Sequence, residues 1–226
     1  MTKDWVLKKR AWTELQRELL PDYFSEFAHQ SASRNQFRIM ISKQVCAEPL
    51  MLRCMKLLGI GMINAFALLA IIGDVRRFER SEKLAAYVGL NPGQRESGAG
   101  KRIKLGIGLR GRGDMRNLLI QGAQAVLRIG RNTALGKWGW KLSARKCHRN
   151  VAVAAIARKL IVQVWHLLSG NPPNMLESNK SLDAKLTKIL VLRGKELRKK
   201  MGLPATLAAC VLELRSRIDA IPTATQ

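Results

Sequence analysis

The sequence predicts a mainly α-helical protein, with a glycine-rich β-hairpin or loop inserted between helices and a basic helical tail behind them. Three observations carry that reading. Apolar residues recur at helical spacing through much of the chain, as in Leu52, Met55 and Leu58 and again in Val153, Ala157, Leu160, Ile161, Val164 and Leu168. Glycines and the Asn91-Pro92-Gly93 turn break up residues 89–113, which excludes a long helix there. Beyond Asn171-Pro172-Pro173-Asn174 the chain becomes basic and amphipathic. The predicted divisions are a helical linker or coiled-coil arm over residues 1–49, a central domain over 50–170 and a tail over 171–226.

The elements follow in order. Trp5, Trp12 and Leu19 recur every seven residues with Leu15 beside them, so residues 2–20 read as an amphipathic helix ended by Pro21. Docking on the core and a short dimerising arm both fit it. A second helix is expected after the polar turn at residues 31–35. The stripe through Leu58 is interrupted by Gly59-Ile60-Gly61, and a further helix carries Ala65, Leu68 and Leu69. This pattern resembles the helix-hairpin-helix of DNA-binding proteins. There the turn exposes backbone N–H groups at a helix N-terminus, able to hold a phosphate through Gly59 and Gly61. A plain helix–helix turn fits the same residues. Ser81 reads as the cap of a short helix through Tyr87, Asp114 as the cap of a helix to Arg128, and Asn150 as the cap of the most regular helix in the chain. Between them, Ile103, Leu105 and Ile107 alternate as in a hairpin folded at residues 97–100.

Charge narrows the function. The 226 residues hold 40 Lys+Arg against 16 Asp+Glu, a formal net charge of +24, while a hydrophobic content of 47% excludes global disorder. Such a surplus attracts polyanions and makes their binding salt-dependent, nucleic acid first and acidic membranes second. The longest apolar run, residues 62–72, is too short to span a bilayer, so a membrane protein is not expected. Four cysteines without zinc-finger spacing imply free thiols, no structural metal and a cytoplasmic setting. The basic strip adds specifics: Arg95, Lys101, Arg102 and Lys104 surround Ser97, and Arg110, Arg112 and Arg116 follow, all candidates for nucleic-acid contact. By chemistry alone Ser97 is a turn residue. Asp74 and Asp114 read as a turn residue and a helix cap, and Trp138 and Trp140 as packing aromatics or base-stacking platforms.

A series of separate stretches in order makes a resemblance. After the Gly59–Gly61 turn come I-G-D-V-R-R-F (72–78), L-A-A-Y-V-G-L-N-P (84–92), Ser97-Gly98, Gly100-Lys101 and L-G-I (105–107). Then follow R-N-L-L-I-Q-G-A-Q-A-V (116–126), R-N-V-A-V-A-A-I-A-R-K (149–159) and Trp165. The chain thereby resembles the C-terminal transposase domain of the insertion-sequence IS-110 / IS-1111 family over about residues 50–170. The resemblance implies that Ser97 is a nucleophile that becomes covalently joined to a DNA strand. It also implies an oligomeric recombinase guided by a structured (bridge) RNA. The family's N-terminal resolvase-like domain holds magnesium on acidic residues, and this chain begins at the linker. The expectation is therefore magnesium only if another chain supplies such a domain, and no activity for this chain alone. The family's serine-lysine pair after L-G-I is replaced by Gly108 and Leu109. Two further readings stay open: a non-catalytic DNA- or RNA-binding remnant of a truncated transposase, and a ribosome-associated RNA binder.

Overall fold

The computed structural model describes residues 12–96, 102–108, 110–146, 148–171 and 179–220. The chain divides into two compact units, Met1–Ile41 and Ser42–Gln226. Helix α1 (Glu14–Ala47) supplies most of the described part of the first unit and ends in the second. It opens on a reciprocal cap: the Thr13 hydroxyl accepts from the Gln16 N–H at 3.3 Å and the Gln16 side chain accepts from the Thr13 N–H at 3.1 Å.

Here the expected boundaries are corrected. Neither Pro21 nor the polar residues 31–35 break the helix, and Pro21 lies inside it. A proline forfeits one backbone hydrogen bond and strains one turn, a penalty of about 3 kcal/mol that a long run of propagating turns can absorb. Polar side chains on an exposed helix need only point outward. Residues 2–11 of the expected arm lie outside the described residues.

In the second unit α2 (Pro49–Cys54) starts on a proline, with the Glu48 carboxylate accepting from the Leu50 N–H. Helix α3 (Met62–Ile72) follows the glycine turn, then a single 3-10 turn at Val75–Arg77 and α4 (Ser81–Val88). Two strands, β1 (Pro92–Glu96) and β2 (Arg102–Ile107), pair antiparallel. Helices α5 (Gly113–Ile129), α6 (Ala134–Lys146) and α7 (Arg149–Leu168) complete the central part. Ser81, Asp114 and Asn150 all sit within the first turns rather than at the caps, which are Arg80, Arg112 and His148. Short polar side chains stabilise either place, so sequence separates them poorly.

Helix α7 is long and apolar enough to cross a membrane by length and composition. It is instead the hub of this unit, packed against α5, α6, α4 and α2. Val153, Ala157, Leu160, Ile161 and Val164 of the predicted core stripe are buried along it, while Leu168 is half-buried and Leu167 is buried in its stead. The tail forms α8 (Asn179–Lys200), kinked at Gly194, and α9 (Leu207–Asp219). Its apolar face is covered: Leu182, Leu186, Ile189 and Leu190 are buried. Lys185 Nζ donates to the carbonyls of Met55, Leu57 and Ile60 at 2.8, 3.1 and 3.0 Å, and Lys56 pairs with Asp219 at 2.7 Å. The basic tail is thus fastened to the glycine turn by hydrogen bonds of which the sequence shows no sign.

Candidate nucleic-acid interface

The turn between α2 and α3 has two unlike glycines. Gly59 has φ +84°, and a β-carbon there would overlap the carbonyl oxygen of Gly122 on α5. Its own carbonyl accepts from Asn64 Nδ2, which also reaches the Leu118 carbonyl at 3.3 Å. Gly59 therefore works as a packing glycine, letting turn and helix touch backbone to backbone. Gly61 differs: it caps α3 without a side-chain bond, and nothing lies within 4 Å of where its β-carbon would be. The open space at Gly61 lies at the N-terminus of α3, where backbone N–H groups can hold a phosphate.

The root of the hairpin is built more tightly. Gly89, at φ +79°, ends α4 in the left-handed conformation, and a β-carbon there would overlap the Arg110 carbonyl oxygen. Across from it Gly111, at φ +95°, leaves only 2.6 Å between its β-carbon position and the Gly89 nitrogen. The Arg112 N–H donates to the Tyr87 carbonyl at 3.0 Å. Arg116 Nη1 donates to the carbonyls of Arg110 and Gly89 at 3.0 and 3.4 Å. Both ends of the excursion are thereby clamped to one point beside α4. In the ladder Gln94 faces Lys104, Arg95 faces Ile103 and Glu96 faces Arg102, with a bulge between Pro92 and Gln94. Ser97 and Lys101 immediately follow β1 and precede β2, outside the described residues.

Charge around the root is largely self-compensated. Arg112 grips Asp114 through two bonds, Nε–Oδ1 at 3.0 Å and Nη2–Oδ2 at 2.6 Å. That pair, with the Met115 N–H, holds the Asp114 carboxyl down at about 2, far below the usual carboxylate range, and pushes the Arg112 guanidinium up. Asp74 caps the 3-10 turn and pairs with Arg76 at 2.9 Å, which lowers its pKa through the side-chain hydrogen bond first. Arg77 lies 4.6 Å over the Phe78 ring and 5.0 Å over Tyr87, and its hydrogen bond pulls the Tyr87 hydroxyl down. Trp165 Nε1 donates to the Phe78 carbonyl at 2.9 Å, tying this cluster to α7.

Magnesium needs carboxylate oxygens free to face it. Among the described residues no three His, Cys, Asp or Glu side chains come together as a metal-binding group. Of the acids around the strip, Asp74 and Asp114 are each committed to an arginine, and Glu96 lies on β1 opposite Arg102. This donor set does not fit a divalent cation.

The family model of the transposase IS116/IS110/IS902 family matches residues 52–136, the segment from α2 through the hairpin to the start of α6. The chain carries a transposase domain of that family. It is 39% identical over 112 residues to the transposase for insertion sequence element IS1111A of Coxiella burnetii, covering 49% of this chain and 30% of that protein. With the probable family 20 transposase of Pseudomonas aeruginosa it shares 34% over 154 residues, 67% of this chain and 45% of the relative. The pilin gene-inverting protein of Moraxella lacunata is 30% identical over 115 residues, 51% of this chain and 35% of the relative. The chain thus spans less than half the length of these curated relatives.

Within the transposase domain the predicted site residues separate into groups. Arg95, Arg102 and Lys104 lie on the paired strands that flank Ser97 and Lys101. Arg110 is exposed beside them. Arg112 and Arg116, predicted to touch nucleic acid, are bonded to Asp114 and to backbone carbonyls. Trp140 donates to the Leu127 carbonyl and stacks with Arg131, and Trp138 lies under Lys159, so both aromatics have partners within the protein. The sequence did not single out Gly122, Asn64 or Lys185, whose roles depend on distant chain segments. For Gly122 the signal was present, as a lone glycine inside a helical stripe.

Proposed function

We propose that this transposase domain is a DNA recombinase domain in which Ser97 cleaves and rejoins strands. The hydroxyl oxygen of Ser97 attacks a backbone phosphorus. A bond from serine oxygen to phosphorus forms, the bond from phosphorus to one deoxyribose oxygen breaks, and the serine proton is passed on while the released oxygen becomes a hydroxyl. The phosphodiester is conserved as a protein–DNA ester, so a hydroxyl from another strand can reverse the step. Arg95, Lys101, Arg102 and Lys104 offset the charge that develops on the phosphate. The observation that supports this reading is the clamp of Gly89, Gly111 and Arg116, which holds the basic ladder flanking Ser97 at a fixed root. The kinship with a protein named for inverting a pilin gene points the same way.

A serine hydroxyl needs activation, and Asp74 and Asp114 are both held by arginines. The reading therefore includes acidic residues and magnesium brought by a separate polypeptide, along with DNA, a guide RNA and a second copy of the chain as partners. The pairing of Asp74 and Asp114 with arginines favours one alternative, a nucleic-acid-binding module without catalysis. Nicking of supercoiled DNA with magnesium, wild type against Ser97→Ala, tests the division. The chain alone is expected to bind DNA in a salt-sensitive way without nicking it. Adding an acidic resolvase-like domain should produce nicking that Ser97→Ala abolishes. Ser97-dependent nicking by the chain alone would contradict the need for outside acids, and Ser97-independent nicking would remove the nucleophile.

A further inference from the structure

Two cavities along α7 meet at one residue. The first, about 380 Å³, lies between α5 and α7 and is lined by Gln121, Gln124, Arg128, Arg149 and Asn150 among others. The second, about 500 Å³, lies where the hairpin base meets α7 and is walled by Leu90, Ile107, Val151 and Ala155, with Arg158 and Asn150 in its lining. Both fall in the size range of small-ligand sites, ~300–1,000 Å³. Asn150 lines both, so the polar and the apolar space adjoin.

We propose that this composite groove holds one unpaired strand of nucleic acid, with phosphates on the polar side and a base in the apolar side. The proposal rests on the nucleic-acid reading above and adds to it a place and a strand state. Charge selects the occupant. Three arginines and no acidic residue line the two cavities. Among the described residues none of the three is hydrogen-bonded or ion-paired to a carboxylate; the Arg158 charge helps hold the Glu82 carboxyl on α4 down. A second copy of a chain with net charge +24 would be repelled from such a surface. A polyanion with flat apolar rings satisfies both halves, because guanidiniums pair with phosphates and small aliphatic walls can sandwich a base. Duplex DNA keeps its bases stacked inside and offers the apolar half nothing. Val151 and Ile107 are 45% and 37% exposed, apolar surface that water now covers.

The test uses the full chain with fluorescent single-stranded DNA, single-stranded RNA and duplex DNA of one sequence, each strand carrying a single 2-aminopurine. Single strands should bind with the 2-aminopurine signal changed by burial in the groove. Ala155→Phe, which fills the apolar cavity, and Val151→Asp, at an exposed position that spares the fold, should each weaken single-strand binding about tenfold and leave duplex binding within about twofold. The RNA and DNA arms identify which strand the groove prefers. Single-strand binding unaffected by both variants, with duplex binding intact, overturns this proposal alone. Failure to bind any of the three probes overturns the nucleic-acid reading as well.

Discussion

Gly89→Ala is expected to destabilise the fold by about 3–5 kcal/mol, with a drop of about 10 °C in the melting temperature. Two penalties add. A left-handed φ of +79° strains any residue with a β-carbon, and the new methyl would overlap the Arg110 carbonyl oxygen. That oxygen cannot retreat cheaply, because it accepts from Arg116 and its neighbour Gly111 is itself packed on the Gly89 backbone. The hairpin root should open before the rest of the unit, so amide exchange in β1 and β2 should rise ahead of exchange in α7. Gly106→Ala in β2 is the matched control, with nothing within 4 Å of its β-carbon position, and should be close to neutral. Thermal melts followed by circular dichroism compare the two. An unchanged melting temperature for Gly89→Ala would mean that the clamp does not carry the hairpin.

Replacing Arg95, Lys101, Arg102 and Lys104 together by alanine should reduce the salt dependence of DNA binding by about 3–4 units in log K against log salt. Each neutralised phosphate contributes about 0.9 to that slope on duplex DNA, so four contacts account for the change. Arg116→Ala gives the contrast. Its guanidinium is bonded to the carbonyls of Arg110 and Gly89, so its loss should lower stability while leaving the salt slope nearly unchanged. Affinity measured by fluorescence anisotropy at several salt concentrations separates the two. Equal slopes for the four-residue variant and the wild type would place the phosphate contacts elsewhere.

The contrast between those arginines shows where sequence reasoning stops. Residue order reveals that Arg112 and Arg116 are basic and close to Ser97. It does not reveal that Asp114 and the Arg110 carbonyl reach them first. The same holds for Gly59, whose close packing on Gly122 of another helix is not visible in residue order. Lys185 is legible only as one basic residue among many, yet it reaches back to Met55, Leu57 and Ile60. What periodicity can carry, it carried: the α7 stripe is buried as spaced as far as Val164, and the glycine-broken strip yields two short strands. Pro21 misled because a local rule about proline was applied without the length of helix available to absorb it. The family resemblance was legible because its stretches are mostly structural. Arg77, Phe78, Tyr87 and Gly89, all within those stretches, are residues that brace the hairpin root.

The central claim is that residue 97 meets a DNA phosphate, and a site-directed crosslink measures this independently of catalysis. Ser97→Cys would be made in a Cys147→Ser background, leaving Cys46, Cys54 and Cys210, which are buried thiols. Desolvation pushes Cys54 up to about 12 and raises Cys46, so neither competes as a thiolate. DNA carrying an activated disulfide tethered to one backbone phosphate then reports proximity. Rapid crosslinking at position 97, suppressed by high salt and far above that of Ala220→Cys on the exposed end of α9, is the predicted result. Crosslinking at position 97 no faster than at position 220 would contradict it.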